Sequence, residues 1–393
     1  MFSQSPHDYN FIQNPYLAYE SARMAGPIVY WQEYKMLAAF DYATVHKVLR
    51  DKRLGRAVPD FQSREVSEHL EAFHAVEQHS LLELEPPKHT RLRLLILRAF
   101  TSRRIASLTD DIQKICTDLL IALPTGEFDL IPTYCQHLPV KVIARLLGVP
   151  EEMAPDLLRW SSAMVAMYQA GITIQTEEEA NQAAFEFADF LRGYIEQRRD
   201  DPRDDLITEL IAAEENGAKL SHNEMISTCI LLLNAGHEAT VHSLGNAVKC
   251  LIENKMTAAL SPSLASGTIE ELLRFDPPLH MFTRYAYEKI DIGGHTMHPG
   301  DEIALILGAA GRDPAVYRDP DKFDPTRNPS NHLAFGGGLH FCVGAPLARL
   351  EMQIALPALF ASNPNLQISQ PPVYANSYHF HKLDKLMVTT NNW

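Results

Sequence analysis

Apolar residues recur every three or four positions along most of this chain, through 108–120, 183–195, 224–252, 270–275 and 345–360, a spacing that gathers them on one face of a helix. The stretch 224–252 is the longest. Ser221-His222-Asn223-Glu224 ahead of it has the S-x-x-E form of a capping box, so the sequence predicts a long helix over about 222–254. Strand signals are confined to two places. Residues 28–31 and 36–40 read as a hairpin near the N-terminus, and 290–297 and 302–306 flank a turn at His298-Pro299-Gly300 near the C-terminus. Prolines at Pro86-Pro87, Pro277-Pro278, Pro314, Pro320, Pro325 and Pro371-Pro372 punctuate elements, and no low-complexity linker or repeat divides the chain. The pattern predicts a mainly α protein with a minor β part, a single domain over 1–393.

With 46% hydrophobic and 21% charged residues among 393, disordered, collagen-like and disulfide-scaffold classes are excluded. The net charge of −14 opposes nucleic-acid binding and offers no polybasic membrane anchor. The N-terminal MFSQSPHDYNFIQNPY lacks the basic-then-apolar order of a signal peptide, and the most apolar run, 225–235, is too short to span a bilayer. A cytoplasmic protein with no membrane anchor is expected. Cys116, Cys135, Cys229, Cys250 and Cys342 are an odd set without metal-ligand spacing, which points to reduced thiols.

The densest chemistry lies at 335–344, Phe335-Gly336-Gly337-Gly338-Leu339-His340-Phe341-Cys342-Val343-Gly344, directly before the helical pattern of 345–360. Three glycines permit positive φ and close backbone approach, and a helix start presents free N–H groups beside Cys342, a setting that favours a thiolate. From the residues alone such a thiolate serves as a nucleophile, a structural metal ligand or an axial ligand to haem iron. A single cysteine gives zinc or an iron–sulfur cluster no second ligand nearby.

This loop, running on to Leu347-Ala348-Arg349, resembles the F-G-x-G-x-H-x-C-x-G-x-x-L-A-R haem-binding loop of cytochrome P-450 monooxygenases. By that resemblance Cys342 is the axial ligand of a haem b iron and Phe335 packs by the sulfur. His340 contacts a propionate, and Gly336, Gly344 and Ala235 lie against the cofactor. Glu271-Leu272-Leu273-Arg274 is similar to the family's E-x-x-R, with Glu and Arg at i and i+3 on one helix face. Asp324-Pro325-Thr326-Arg327 falls where the family supplies a second arginine, so Glu271, Arg274 and Arg327 are expected to form a buried structural network. Pro87-Lys88-His89-Thr90-Arg91-Leu92-Arg93 is similar to the family's H-T-R-x-R helix. His89, Arg93 and Arg284 are the expected holders of the propionates. Segments 138–151, 198–207 and 311–314 also resemble the family. The likeness runs from about residue 27 to the end and implies the soluble bacterial type with the cytochrome P-450 fold.

The helix expected over the haem reads Leu231-Leu232-Leu233-Asn234-Ala235-Gly236-His237-Glu238-Ala239-Thr240, similar to the family's A-G-x-[DE]-T segment. Ala235, Gly236, Ala239 and Ser243 make a small-residue stripe at helical spacing. Glu238 matches the family's acid, but Ala239 stands where the family has threonine. Thr240, rotated about 100° further round the helix, is expected to point away from the oxygen site. Gly236, Glu238, Ala239 and Thr240 form the candidate catalytic segment, with protons expected through Glu238 and water or through a substrate hydroxyl.

The resemblance implies a haem-thiolate monooxygenase that activates O2 and hydroxylates or epoxidises a largely apolar small molecule. No G-x-G-x-x-G follows a strand, so electrons are expected from NAD(P)H through a separate reductase and ferredoxin, docking near Lys88, Arg91, Arg98, Arg103 and Arg104. The pocket is expected to draw on 59–82, 167–172, Leu232, Ala235, Ala239, Leu279, Met281, Phe282 and 378–380, including Phe380. Two other classes compete. Ala239 admits a haem-thiolate peroxygenase, sensor or carrier. A cysteine-nucleophile hydrolase is disfavoured, because His340, two residues before Cys342 on a glycine turn, is poorly placed as its base.

Overall fold

The computed structural model describes residues 1–62, 65–168, 172–215, 217–327 and 331–390. Helix takes up 55% and strand 12% of the residues, a mainly α architecture. The helices that build or brace the site are α1 (Tyr16–Ala25), α2 (Glu71–Glu77), α3 (Lys88–Ala99), α4 (His137–Leu147), α5 (Ile174–Asp200), α6 (His222–Glu253), α7 (Ala265–Phe275) and α8 (Ala345–Ser362). The predicted capping box opens α6. The Ser221 hydroxyl accepts from the Glu224 N–H at 3.2 Å, and the Glu224 carboxylate accepts from the Ser221 N–H at 2.8 Å. Buried residues run along α6 from Met225 to Leu251, because α4, α5 and α8 all pack on it. One apolar core joins Leu92, Ile143, Phe187, Leu233, Leu272 and Leu356, one from each of α3 to α8. Among the described residues no helix is long and apolar enough to cross a membrane.

Strands are more numerous than the alternation predicts. β1 (Ile28–Trp31) and β2 (Met36–Ala39) form the expected hairpin, with Ile28 opposite Ala39. They join β3 (Leu54–Gly55), β4 (Met281–Ala286) and a C-terminal strand in one sheet. The stretch 290–297 is not one strand. Gly293 and Gly294, at φ +56° and +81°, turn it into a hairpin of β5 (Ile290–Ile292) and β6 (His295–Met297). β7 (Glu302–Ile306) runs parallel to β2, with Ile303 opposite Leu37, and antiparallel to β4, with Ala304 opposite Thr283. The sheet order is β1-β2-β7-β4-β3. Alternation hides β4, because its buried positions include the charged Arg284.

Glu271 and Arg274 of α7 are buried. The Arg274 guanidinium donates to both Glu271 oxygens, at 2.7 and 2.8 Å, and to the carbonyls of Gly311 and Pro320. Arg327 Nε donates to the same carboxylate at 3.2 Å, and so does the Asp324 N–H at 3.0 Å. This carboxylate, far from water, thus accepts four hydrogen bonds, three at Oε1 and one at Oε2, which is what makes burial of the charge tolerable.

Candidate active site

Loop 335–344 turns tightly because Gly336 and Gly338 adopt left-handed φ of +71° and +67°. A Cβ at Gly338 would also collide with the Leu49 carbonyl. The turn closes on a bond from the Cys342 N–H to the Phe335 carbonyl at 3.0 Å, and α8 starts three residues later at Ala345. The N–H groups of Gly344 and Ala345 point at the sulfur. Burial nonetheless pushes the Cys342 thiol up, and those N–H groups with the charges of Arg93 and Arg349 offset only part of it. Phe335 carries the Arg349 guanidinium over its ring at 4.6 Å, and Arg349 is fixed by two bonds to Glu270 at 2.6 and 2.8 Å.

Cys342 opens onto a cavity of about 490 Å³. Leu232, Ala235, Gly236, Glu238, Ala239 and Thr240 of α6 supply another part of the wall. Leu279, Met281, Phe282 and Phe380, all expected from the sequence, line it as well. Of the expected stretches 59–82 and 167–172, positions 63–64 and 169–171 lie outside the described residues. Glu77, Leu81, Leu82 and Tyr168 from those stretches reach the wall. Thr240 is part of the cavity wall. It is buried and borders the cavity beside Ala239, because the cavity wraps more of α6 than the 100° separating neighbours, with no π-turn needed.

Basic side chains collect near Cys342 in excess of acids. His89 is buried with neither ring nitrogen bonded, its ring 4.4 Å from that of His340. Burial, then the charges of His340 and Arg93, bring His89 down to about 4. Arg93 Nη2 donates to the Phe341 carbonyl at 2.7 Å. Arg284 is buried and donates to the Thr283 carbonyl at 2.7 Å. Burial, followed by the neighbouring Arg56 charge, lowers it to about 10. Arg284 and Gly336 are not among the residues lining the cavity. Glu85 is the carboxylate within this group, 2.9 Å from His340 Nε2 and 2.6 Å from the Arg56 N–H. Orphaned His89 nitrogens and desolvated guanidinium groups suit a ligand that carries carboxylates of its own. Together with a cavity-facing thiol and the small residues of α6, this set fits haem.

A family model described as cytochrome P450 matches residues 263–362. The polyketide biosynthesis cytochrome P450 PksS of Bacillus subtilis is 35% identical over 381 residues, covering 93% of this chain and 93% of its own length. The chain belongs to the cytochrome P450 family. Vitamin D(3) 25-hydroxylase of Pseudonocardia autotrophica is 36% identical over 400 residues, 96% of this chain and 94% of that one. P450BioI, solved in complex with an acyl carrier protein ligated to hexadec-9Z-enoic acid, superposes with a TM-score of 0.91 at 33% identity, covering 97% of this chain and 99% of its own. Epothilone D-bound cytochrome P450epoK gives a TM-score of 0.92 at 29% identity, with 100% of both chains covered. The protein has the P450 fold of the bacterial type and is a haem-dependent monooxygenase.

Within this P450, Glu238 is held in a way its motif does not disclose. His242 Nε2 lies 3.1 Å and Lys382 Nζ 3.4 Å from its Oε1. Burial alone would raise Glu238, but the bond to His242 and the charges of His242, Lys382 and His237 bring it to about 2. Lys382 lies 144 residues from Glu238 along the chain, so no local spacing could reveal it. Arg56 and Glu85 escape the sequence reading for a related reason: they meet the basic group only after folding. On the outer face, Arg91 is paired with Glu224 and Arg104 with Asp204. The basic patch expected for a redox partner is therefore partly neutralised.

Proposed function

We propose that this P450 inserts one oxygen atom of O2 into a largely apolar small molecule, by hydroxylation or epoxidation, with electrons drawn from NAD(P)H through a reductase and a ferredoxin. In this reading Cys342 is the axial ligand of haem b, and His89, Arg93, Arg284 and His340 hold its propionates. When bound, haem supplies the redox and oxygen-activating chemistry. The chain supplies the rest. Ala235 and Ala239 leave room along α6 for a flat group and a small gas, and Gly236 lets Ile143 of α4 pack closely on the helix. Leu232, Leu279, Met281, Phe282 and Phe380 exclude water and hold an apolar body. Glu77 and Tyr168, bonded at 2.8 Å on the same wall, suit one or two polar groups on the substrate.

The observation that carries this reading is that the Cys342 sulfur and the small-residue side of α6 border one cavity. Glu238, kept ionised by His242 and Lys382, is the carboxylate on the proton path, and Thr240 on the wall offers the hydroxyl that Ala239 lacks. The test is a ferrous–CO spectrum followed by reconstitution. A thiolate-type band, and product formed only when NADPH, reductase and ferredoxin are all present, are expected. A band of the imidazole type, or turnover with peroxide and none with the ferredoxin system, would overturn the reading.

A further inference from the structure

Between the end of α7 and the start of β4, Asp276 and His280 lie four residues apart, and a second histidine reaches them from the C-terminal segment. The His280 N–H donates to the His379 carbonyl at 2.9 Å and the His381 N–H to the Pro278 carbonyl at 2.8 Å, with Leu279 opposite Phe380. In such an antiparallel pair alternate side chains take opposite faces. Leu279 and Phe380 line the cavity, and His280 and His381 lie on the reverse, their ring centres 4.6 Å apart.

There the donors converge. His381 Nδ1 is 2.8 Å and His280 Nε2 3.6 Å from Asp276 Oδ1. The Tyr16 hydroxyl from α1 is 2.6 Å from the same oxygen and 3.4 Å from His280 Nε2. Tetrahedral zinc, with donors about 2.0–2.2 Å from the metal, sets neighbouring donors roughly 3.3 Å apart. The ligand atoms of Asp276, His280 and His381 all lie within 4.8 Å of one another, so small adjustments would suffice.

We propose that Asp276, His280, His381 and the Tyr16 hydroxyl bind a divalent transition-metal ion of the zinc type, clipping α1 and the C-terminal segment to the end of α7. The surroundings orient two of the ligands as metal sites require. His280 Nδ1 is 2.9 Å from the Tyr19 hydroxyl, and Asp276 Oδ2 accepts from Tyr374 at 2.9 Å. His381 Nε2 has no hydrogen-bond partner, so nothing outside the cluster fixes its tautomer. Of the four ligands Tyr16 borders a surface cleft of about 270 Å³, together with Tyr19, Glu20 and Asp321, while His280 and His381 are buried. Arg23 and Arg312 in the same cleft are the opposing charges, and the Arg312 guanidinium lies 3.4 Å over the Tyr16 ring as well as 3.3 Å from Asp321. Two imidazoles with a carboxylate and a phenol select zinc over magnesium or calcium, which take oxygen ligands.

The experiment uses holoenzyme stripped with a chelator and equilibrated with Zn²⁺ alone, followed by dialysis and elemental analysis. One saturable ion per chain is expected above the weak binding of a protein with 17 histidines, together with a higher melting temperature. His280→Gln with His381→Gln should weaken that site about tenfold or more, at unchanged haem absorbance. No saturable site in the wild type, or equal affinity in the double variant, overturns the proposal. If the double variant does not accumulate, Tyr16→Phe decides: weaker Zn²⁺ binding supports the site and equal affinity refutes it. None of these readouts depends on turnover.

Discussion

The ammonium of Lys382, near the C-terminus, reaches 3.4 Å from the carboxylate of Glu238 in the middle of α6, so the candidate acid is held from outside its own helix. Removing the carboxylate in Glu238→Gln should lower product formation about a hundredfold, the usual scale for loss of a positioned acid or base. Lys382→Met should act more mildly, loosening Glu238 and wasting electrons as peroxide. The quantity to measure is product formed per NADPH consumed. Unchanged coupling in both variants would remove Glu238 from the proton path.

Thr240 borders the cavity one residue after Ala239, and it is the hydroxyl of α6 nearest to Ala239 in sequence, with Ser243 a turn further on. Thr240→Val should therefore reduce coupling severalfold, and Ala239→Thr should fold normally and add little. A neutral Thr240→Val, measured with the same oxygen and NADPH balance, would hand the role to a substrate hydroxyl.

Cys342 is the cysteine that faces the cavity, while Cys116, Cys135, Cys229 and Cys250 are buried. Burial holds the Cys116 thiol up at about 11 and Cys229 at about 12. Cys342→Ser should abolish the thiolate-type ferrous–CO band, and Ser at each of the other four should keep it.

Glu271→Ala would strand the Arg274 guanidinium, whose side chain is 0% exposed. Breaking a buried pair on one side costs roughly 3–5 kcal/mol. Little folded holoprotein is expected, and normal haem content with a near-wild-type melting temperature would show the pair to be dispensable.

Burial pushes Glu351, in α8, up to about 8, with Oε2 unpartnered. The folded state therefore binds its proton more tightly than the unfolded chain, whose glutamates titrate near about 4.3. Stability should be greatest below that value and fall by up to a few kcal/mol as pH rises toward 8. Glu351→Gln should flatten this slope, which urea midpoints at pH 5.5 and pH 8 would detect. An equal slope in the variant would mean that Glu351 is solvated.

What the sequence disclosed follows the range of the forces involved. α6 and α8 are legible because their apolar spacing and the Ser221 capping box act within a few residues. The Cys342 loop is legible because its glycines are demanded by backbone geometry. β4 is not, since Arg284 breaks the alternation, and its neighbours Arg56 and Glu85 come from distant parts of the chain. Lys382, Arg56 and Glu85 carry no local signature at all, and their partners are chosen by folding. Thr240 reaches the cavity wall next to Ala239 because the helix meets its cavity along a broad band rather than a line.

The pairing of Leu279 with Phe380 has an evolutionary corollary. Main-chain bonds on either side of the pair set the path of both segments, and the two side chains project into the cavity without taking part in those bonds. Exchanging them redraws the outline of the pocket while the scaffold stays put. A lineage in search of new substrates, or a laboratory library confined to these two codons, can explore shape at these positions with the fold already secured elsewhere.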